Sequence, residues 1–223
     1  MFAIQWKMVN FITIVTYVLM IIILPFNQTT SSILLFALIA FWSRLPGTGT
    51  PPPGEWLILL DVVDVFSMIV AINIGGLSGA IFSLVTNMGS RVVGSFPDWI
   101  TVLKDVISQF VVCLIIPFIH VIFGSNILVT TVWYSVLRLL MAFPLRLLYA
   151  KYPLPQAIVS IIGGGILLML INGFYAGLFG NFFDNLLKDG VKFNWVLFLF
   201  ATLVIFGTKF YFTKFKKPKF VGG

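Results

Sequence analysis

Apolar residues in this chain come in long blocks rather than in alternation. The blocks fall at 9–26, 32–45, 56–74, 77–94, 104–123, 127–149, 156–178 and 194–212. A bilayer's hydrocarbon core takes about 20 apolar residues as a helix, so the pattern predicts eight helical spans. The period-two alternation of a membrane barrel is absent. The expected fold class is therefore all-α: a polytopic membrane helical bundle, one domain over 1–223, with 213–223 as a basic tail. Two blocks fit less well. The one at 32–45 is short, and the one at 77–94 is broken by Gly89, Ser90 and Arg91.

The breaks between blocks have a chemistry of their own. Asn27-Gln28-Thr29 is a polar turn, and GTGTPPPG at 47–54 reads as a loop because successive prolines cannot continue a helix. Gly75-Gly76, Gly124-Ser125-Asn126 and Lys151-Tyr152-Pro153 mark further turns, and 181–194 reads as an amphipathic linker. The first block is followed by no Ala-x-Ala-like site and is expected to be a retained helix.

Composition sharpens the membrane reading. Of 223 residues, 60% are hydrophobic and 9% charged, too little polar surface for a soluble domain. The net charge of +7 is concentrated in the tail KFYFTKFKKPKF, which holds five of fourteen basic residues. Membrane orientation and anionic headgroups explain that cluster, and nucleic acid is not expected as a partner. Cys113 is the single cysteine and His120 the single histidine, so no thiolate or imidazole metal site is expected. No phosphate-cradling Gly-x-x-x-x-Gly-Lys loop occurs, and no cofactor is expected. With eight spans, Lys7, Arg44, Arg91, Lys104, Arg146, Lys151 and the tail lysines share one side, against Lys188 and Lys192 on the other. The positive-inside bias then places both termini in the cytoplasm, with the cell membrane as location.

Ionisable residues within the blocks are the candidate chemistry. Asp61 and Asp64 lie one turn apart, and Asp64 and Arg138 share a mid-membrane depth. A charge there costs roughly 2.5–3.5 kcal/mol on insertion scales, so both should turn inward and pair. The pair serves either as a structural tie or as a polar substrate site or ion relay. Asn87, Asn172 and Trp133 are weaker candidates for the same site. Gly75, Gly79 and Ser83, spaced by four, form a small-residue ridge suited to close helix packing. Gly163-Gly164-Gly165 and Gly173, Gly177 and Gly180 offer similar surfaces.

A second constellation is Gly76-Leu77-Ser78-Gly79, which resembles the Gly-x-Ser-Gly motif of rhomboid intramembrane proteases. That resemblance implies Ser78 as nucleophile with His120 as its base. The other reading of Ser78 is a small residue at a helix start, hydrogen-bonding locally.

The order ILLFALIAFW, GTGTPPPG, LLDVVDVFSMIVAI, a glycine break and GGLSGAIFSLVTNMGS resembles the opening of the substrate-binding S components of energy-coupling factor (ECF) vitamin transporters. The likeness covers about residues 32–178. It implies a six-helix core with extra helices, a vitamin or other small micronutrient as ligand, and a transmembrane coupling protein with ATPase subunits as partners. The rod-shape-determining small membrane proteins have a similar layout, which leaves open a non-catalytic scaffold subunit. In the transport and scaffold readings the protein is not an enzyme, and in each its surroundings are membrane lipid.

Overall fold

The computed structural model describes residues 5–49, 61–93, 99–148, 153–188 and 192–215. Among them every regular element is a helix, and no strand occurs. In chain order the α-helices are α1 (Trp6–Ile23), α2 (Gln28–Gly49), α3 (Val63–Ile74), α4 (Gly76–Val93), α5 (Trp99–Ile122), α6 (Ile127–Leu148), α7 (Leu154–Tyr175), α8 (Asn181–Leu187) and α9 (Trp195–Phe215). A π-helical stretch, Ala176–Gly180, joins α7 to α8.

Asparagine opens three of these helices. Asn27, Asn126 and Asn194 each accept, through Oδ1, a backbone N–H from the first turn that follows: Thr30 at 2.9 Å, Val129 at 3.1 Å and Leu197 at 2.8 Å. These bonds satisfy donors that a helix start leaves without an intrahelical partner. The turn between α5 and α6 bends at Gly124 and Ser125, with φ of 73° and 57°.

Among the described residues four helical segments are long and apolar enough to cross a membrane: Trp6–Ile23, Val102–Ile122, Ile127–Pro144 and Ile162–Leu187. Three expected boundaries move. The short 32–45 block belongs to a helix of 22 residues, and α2 runs through Gly47 to Gly49, which the sequence places in a loop. The rest of that loop lies outside the described residues, as do residues 56–60 of the 56–74 block, and α3 supplies 12 residues of that block. The expected linker after residue 181 begins instead with α8. It docks by apolar contact: the Phe183 ring lies edge-on to Phe36 of α2 and Phe66 of α3, which stack at 4.6 Å. Asn73 Nδ2 adds a 2.7 Å hydrogen bond to Asp184 Oδ1.

The glycine ridge divides into two roles. Gly79 is a true close approach: a Cβ built there would lie 2.4 Å from Ala71 Cβ and 2.7 Å from Ala71 Cα, so α3 and α4 touch backbone to backbone. Gly75 instead makes the turn between them, with φ of 131° and no atom within 4 Å of a built Cβ. Ser83 is buried and donates to Ala80 O at 2.8 Å. On the adjoining face of α4, Gly76 meets α5, its built Cβ 3.0 Å from Cys113 O and Leu114 Cα. Pro117 has no N–H to bond that same Cys113 carbonyl, the usual consequence of proline inside a helix.

The other glycine groups pack at single positions. Gly165 fits against Leu139, and Gly180 against Ile127, whereas Gly163, Gly164, Gly173 and Gly177 meet nothing within 4 Å. Substituting Gly79→Ala should therefore lower the thermal midpoint in detergent, since overpacking costs about 1–3 kcal/mol. Gly164→Ala, which enters open space, should leave it unchanged or raise it slightly, because alanine is the better helix former. Equal midpoints for the two variants would contradict the backbone contact at Gly79.

Candidate functional site

The interior of the bundle is polar at one level. Asp64 stands in the first turn of α3, and Arg138 stands midway along α6. Arg138 Nη1 donates to Asp64 Oδ2, and both residues are buried. The second carboxylate oxygen, Oδ1, accepts from Gln109 Nε2 of α5 at 2.6 Å. Gln109 Oε1 in turn accepts from Asn87 Nδ2 of α4. From α7, Asn172 Nδ2 reaches both Asp64 Oδ2 at 3.3 Å and Ser135 Oγ of α6 at 3.1 Å. One carboxylate thus ties together side chains from five successive helices, α3 to α7.

Burial makes this arrangement obligatory in chemical terms. An ionised carboxylate removed from water needs a counter-charge and acceptor-matched donors, and here it has both. The carboxylate also sits at a helix N-terminus, whose dipole favours negative charge. Two amide oxygens of the network, Asn87 Oδ1 and Asn172 Oδ1, are buried without a partner among the described residues.

A cleft of about 240 Å³ opens beside the pair. Asp61, Asp64 and Arg138 supply its polar wall, and Leu139, Ala142, Leu167, Leu168 and Ile171 its apolar wall. Gly164 and Gly165 of α7 line it without side chains. Asp61 is itself held: its Oδ2 lies 3.4 Å from Arg44 Nε, and its Oδ1 accepts the Val63 N–H at 2.9 Å. Arg44 is buried, and its Nη1 has no partner among the described residues.

Asp61, Asp64, Asn87, Arg138 and Asn172 are thus gathered in one region, as the sequence suggests. Trp133 is not. It is partly exposed and stacks on Phe123 at 5.1 Å between ring centroids. It precedes Arg138 by five residues, about 140° around the helix, so the two point to different faces. Sequence reasoning missed Gln109, Ser135 and a second buried pair, Arg91 of α4 with Asp105 of α5. The signal was spacing: Asp105, Gln109, Val112, Cys113 and Ile116 recur at three and four residues and form the buried stripe of α5.

Ser78 and His120 are not brought together. His120 Nδ1 hydrogen-bonds Thr130 Oγ1 at 2.7 Å, and Ser78 makes no hydrogen bond with it among the described residues. The antiparallel register explains the separation. Gly76 sits level with Leu114, six residues before His120, and Ser78 lies further from His120 still. The resulting offset along the axes is roughly 12 Å.

The chain matches no protein-family model, no curated protein and no solved structure.

Removing one member of a buried pair leaves an uncompensated charge, which typically costs 3–5 kcal/mol. Asp64→Asn and Arg138→Gln should each destabilise strongly. The double variant should be less unstable than the sum of the two, with a coupling of about 0.5–3 kcal/mol in a thermodynamic cycle. Additive losses in chemical-denaturation curves would show that the pair is not energetically joined.

Proposed function

We propose that this chain is an integral protein of the cell membrane, both termini cytoplasmic, that binds a small polar molecule at the Asp61–Asp64–Arg138 cleft. In this reading it serves as the substrate-binding subunit of an uptake system and not as an enzyme. Its ligand is a vitamin or similar micronutrient, and its partners are a transmembrane coupling protein and ATPase subunits, as the ECF S-component resemblance implies.

The observation that carries the binding role is the cleft beside a buried ion pair. Intramembrane charges that face a cavity are functional candidates by default, and pockets that join apolar walls to a few fixed polar groups are the usual form of ligand sites. At about 240 Å³ the cleft is below the roughly 300–1,000 Å³ of drug-sized sites, which favours a small ligand. The membrane location is supported by an inverted surface. Phe11, Val159, Leu170, Val196 and Leu203 are exposed, while Asp64, Arg91, Asp105 and Arg138 are buried.

The test uses purified protein in detergent and a panel of water-soluble vitamins, read by thermal stabilisation. At least one compound should raise the melting midpoint. Gly164→Leu, whose Cβ enters open space at the cleft wall, should weaken that compound roughly tenfold or more, equivalent to at least ~1.4 kcal/mol, while the ligand-free midpoint stays within a few degrees of the wild type. If the response is the same in the variant, the ligand binds elsewhere. If no compound stabilises the protein, the vitamin reading fails.

A further inference from the structure

A second cavity lies away from the ion pair, where the end of α1 turns towards α2 and α9 begins. It measures about 430 Å³ and is lined by Ile21, Leu24, Pro25, Phe193 and Trp195, with Gln28 and Lys192 as its polar residues. Further along the bundle α1 and α9 meet through side chains, with Tyr17 Oη and Thr202 Oγ1 2.7 Å apart and the Tyr17 ring edge-on to Phe198. The groove is therefore a gap between two helices whose other exposed faces are apolar.

Its polar end has a single sign. Gln28 Oε1 accepts the Phe193 N–H at 2.9 Å, which leaves the amide Nε2 to donate. Lys192 is exposed and has no ion-pair or hydrogen-bond partner among the described residues. The other lysine of this region, Lys188, is neutralised by Asp184 at 3.0 Å. Among the described residues no carboxylate lines the groove. Donors and a positive charge at one end, and hydrocarbon walls along the rest, complement a molecule with an anionic head and an apolar tail. Trp195 opens α9, and tryptophan at the end of an apolar helix suits a headgroup boundary.

We propose that this groove is a binding site for one anionic phospholipid, its phosphate held by Lys192 and Gln28 and an acyl chain lying against Ile21, Leu24 and Trp195. The assignment rests on the reading of the chain as membrane-embedded. It is independent of the cleft at Asp64, which shares no lining residue with the groove.

The experiment begins with the full chain reconstituted in vesicles of equimolar phosphatidylglycerol and phosphatidylcholine. Lipid retained after gentle detergent extraction is then measured by native mass spectrometry. Phosphatidylglycerol should be retained over phosphatidylcholine by about fivefold, the ratio expected from one lysine near an anionic headgroup. Lys192→Gln should bring that ratio close to one. Leu24→Trp, which fills the groove, should reduce retention of both lipids. Equal retention of the two lipids by the wild-type protein, or an unchanged ratio in Lys192→Gln, would overturn the site. So would equally strong binding of glycerol 3-phosphate alone, because the site would then recognise an anion without a chain. Failure of the membrane reading itself has a different signature: the chain would be stripped from the vesicles by alkaline carbonate before any lipid is compared.

Discussion

A carboxylate enclosed in an apolar bundle has few ways to persist. It must find a counter-charge, fill its remaining lone pairs with donors, or give up its charge. Asp64 takes the first two routes together, with Arg138 as counter-charge and Gln109 and Asn172 as further donors. Each partner comes from a different helix, so the requirement of one residue fixes the mutual placement of α3, α5, α6 and α7. Asn87 brings in α4 through Gln109. Apolar packing holds these helices close, but it is tolerant of rotation and sliding. Directional bonds are not, and that makes the network the part of the interior that specifies register.

A buried ion pair is weak support for net stability, since well-packed hydrophobic residues often serve as well or better. Its retention is better understood through what it excludes and what it offers. It excludes alternative packings in which Asp64 or Arg138 lies alone in apolar surroundings, because each unpaired charge is costly there. It also offers, at the edge of the cleft, a fixed dipole that needs no rearrangement to meet a polar guest. The Arg91–Asp105 and Arg44–Asp61 pairs extend the same logic to the ends of α4, α5 and α2, so charge in this bundle is largely turned inward.

Much of this could be read in the sequence, because an apolar interior imposes simple rules. An aspartate and an arginine within long apolar blocks must turn inward, and pairing is the least costly outcome. Asparagine before an apolar block similarly announces a helix start at Asn27, Asn126 and Asn194. Gln109 was missed because it is uncharged, so nothing in its type demands a partner. Only its place on the buried stripe of α5 reveals that it has one. Trp133 was included for its residue type, although its angular distance from Arg138 already argued against it. The α2 boundary went astray because Gly47-Thr48-Gly49 resembles a loop in composition, and glycine lowers helix propensity without forbidding a last helical turn. Ser78 and His120 illustrate the opposite limit: residue types suited to catalysis carry no information about axial register until the helices are paired.

The glycines of α7 show most clearly how one pattern can carry two physical meanings. Three successive glycines suggest a surface for backbone contact, and Gly165 does fit against Leu139. Gly163 and Gly164 do not close on anything, and Gly164 lines the cleft together with Gly165. On a helix, neighbouring residues point about 100° apart, so a run of three small residues cannot all face one partner. One glycine draws α7 against α6, and the residue beside it leaves unfilled the space that this approach creates. The same short segment thus supplies both the contact that positions α7, and with it Asn172, and the absence of side chain that keeps Asp64 and Arg138 reachable. A larger residue at 165 would have to displace the Leu139 methyl groups, whereas a Cβ at 164 would enter the cleft side without meeting a neighbour. The concavity is therefore a consequence of helix geometry acting on a glycine run, and it is coupled to the ion pair because the helix that carries the glycines also carries a donor to Asp64.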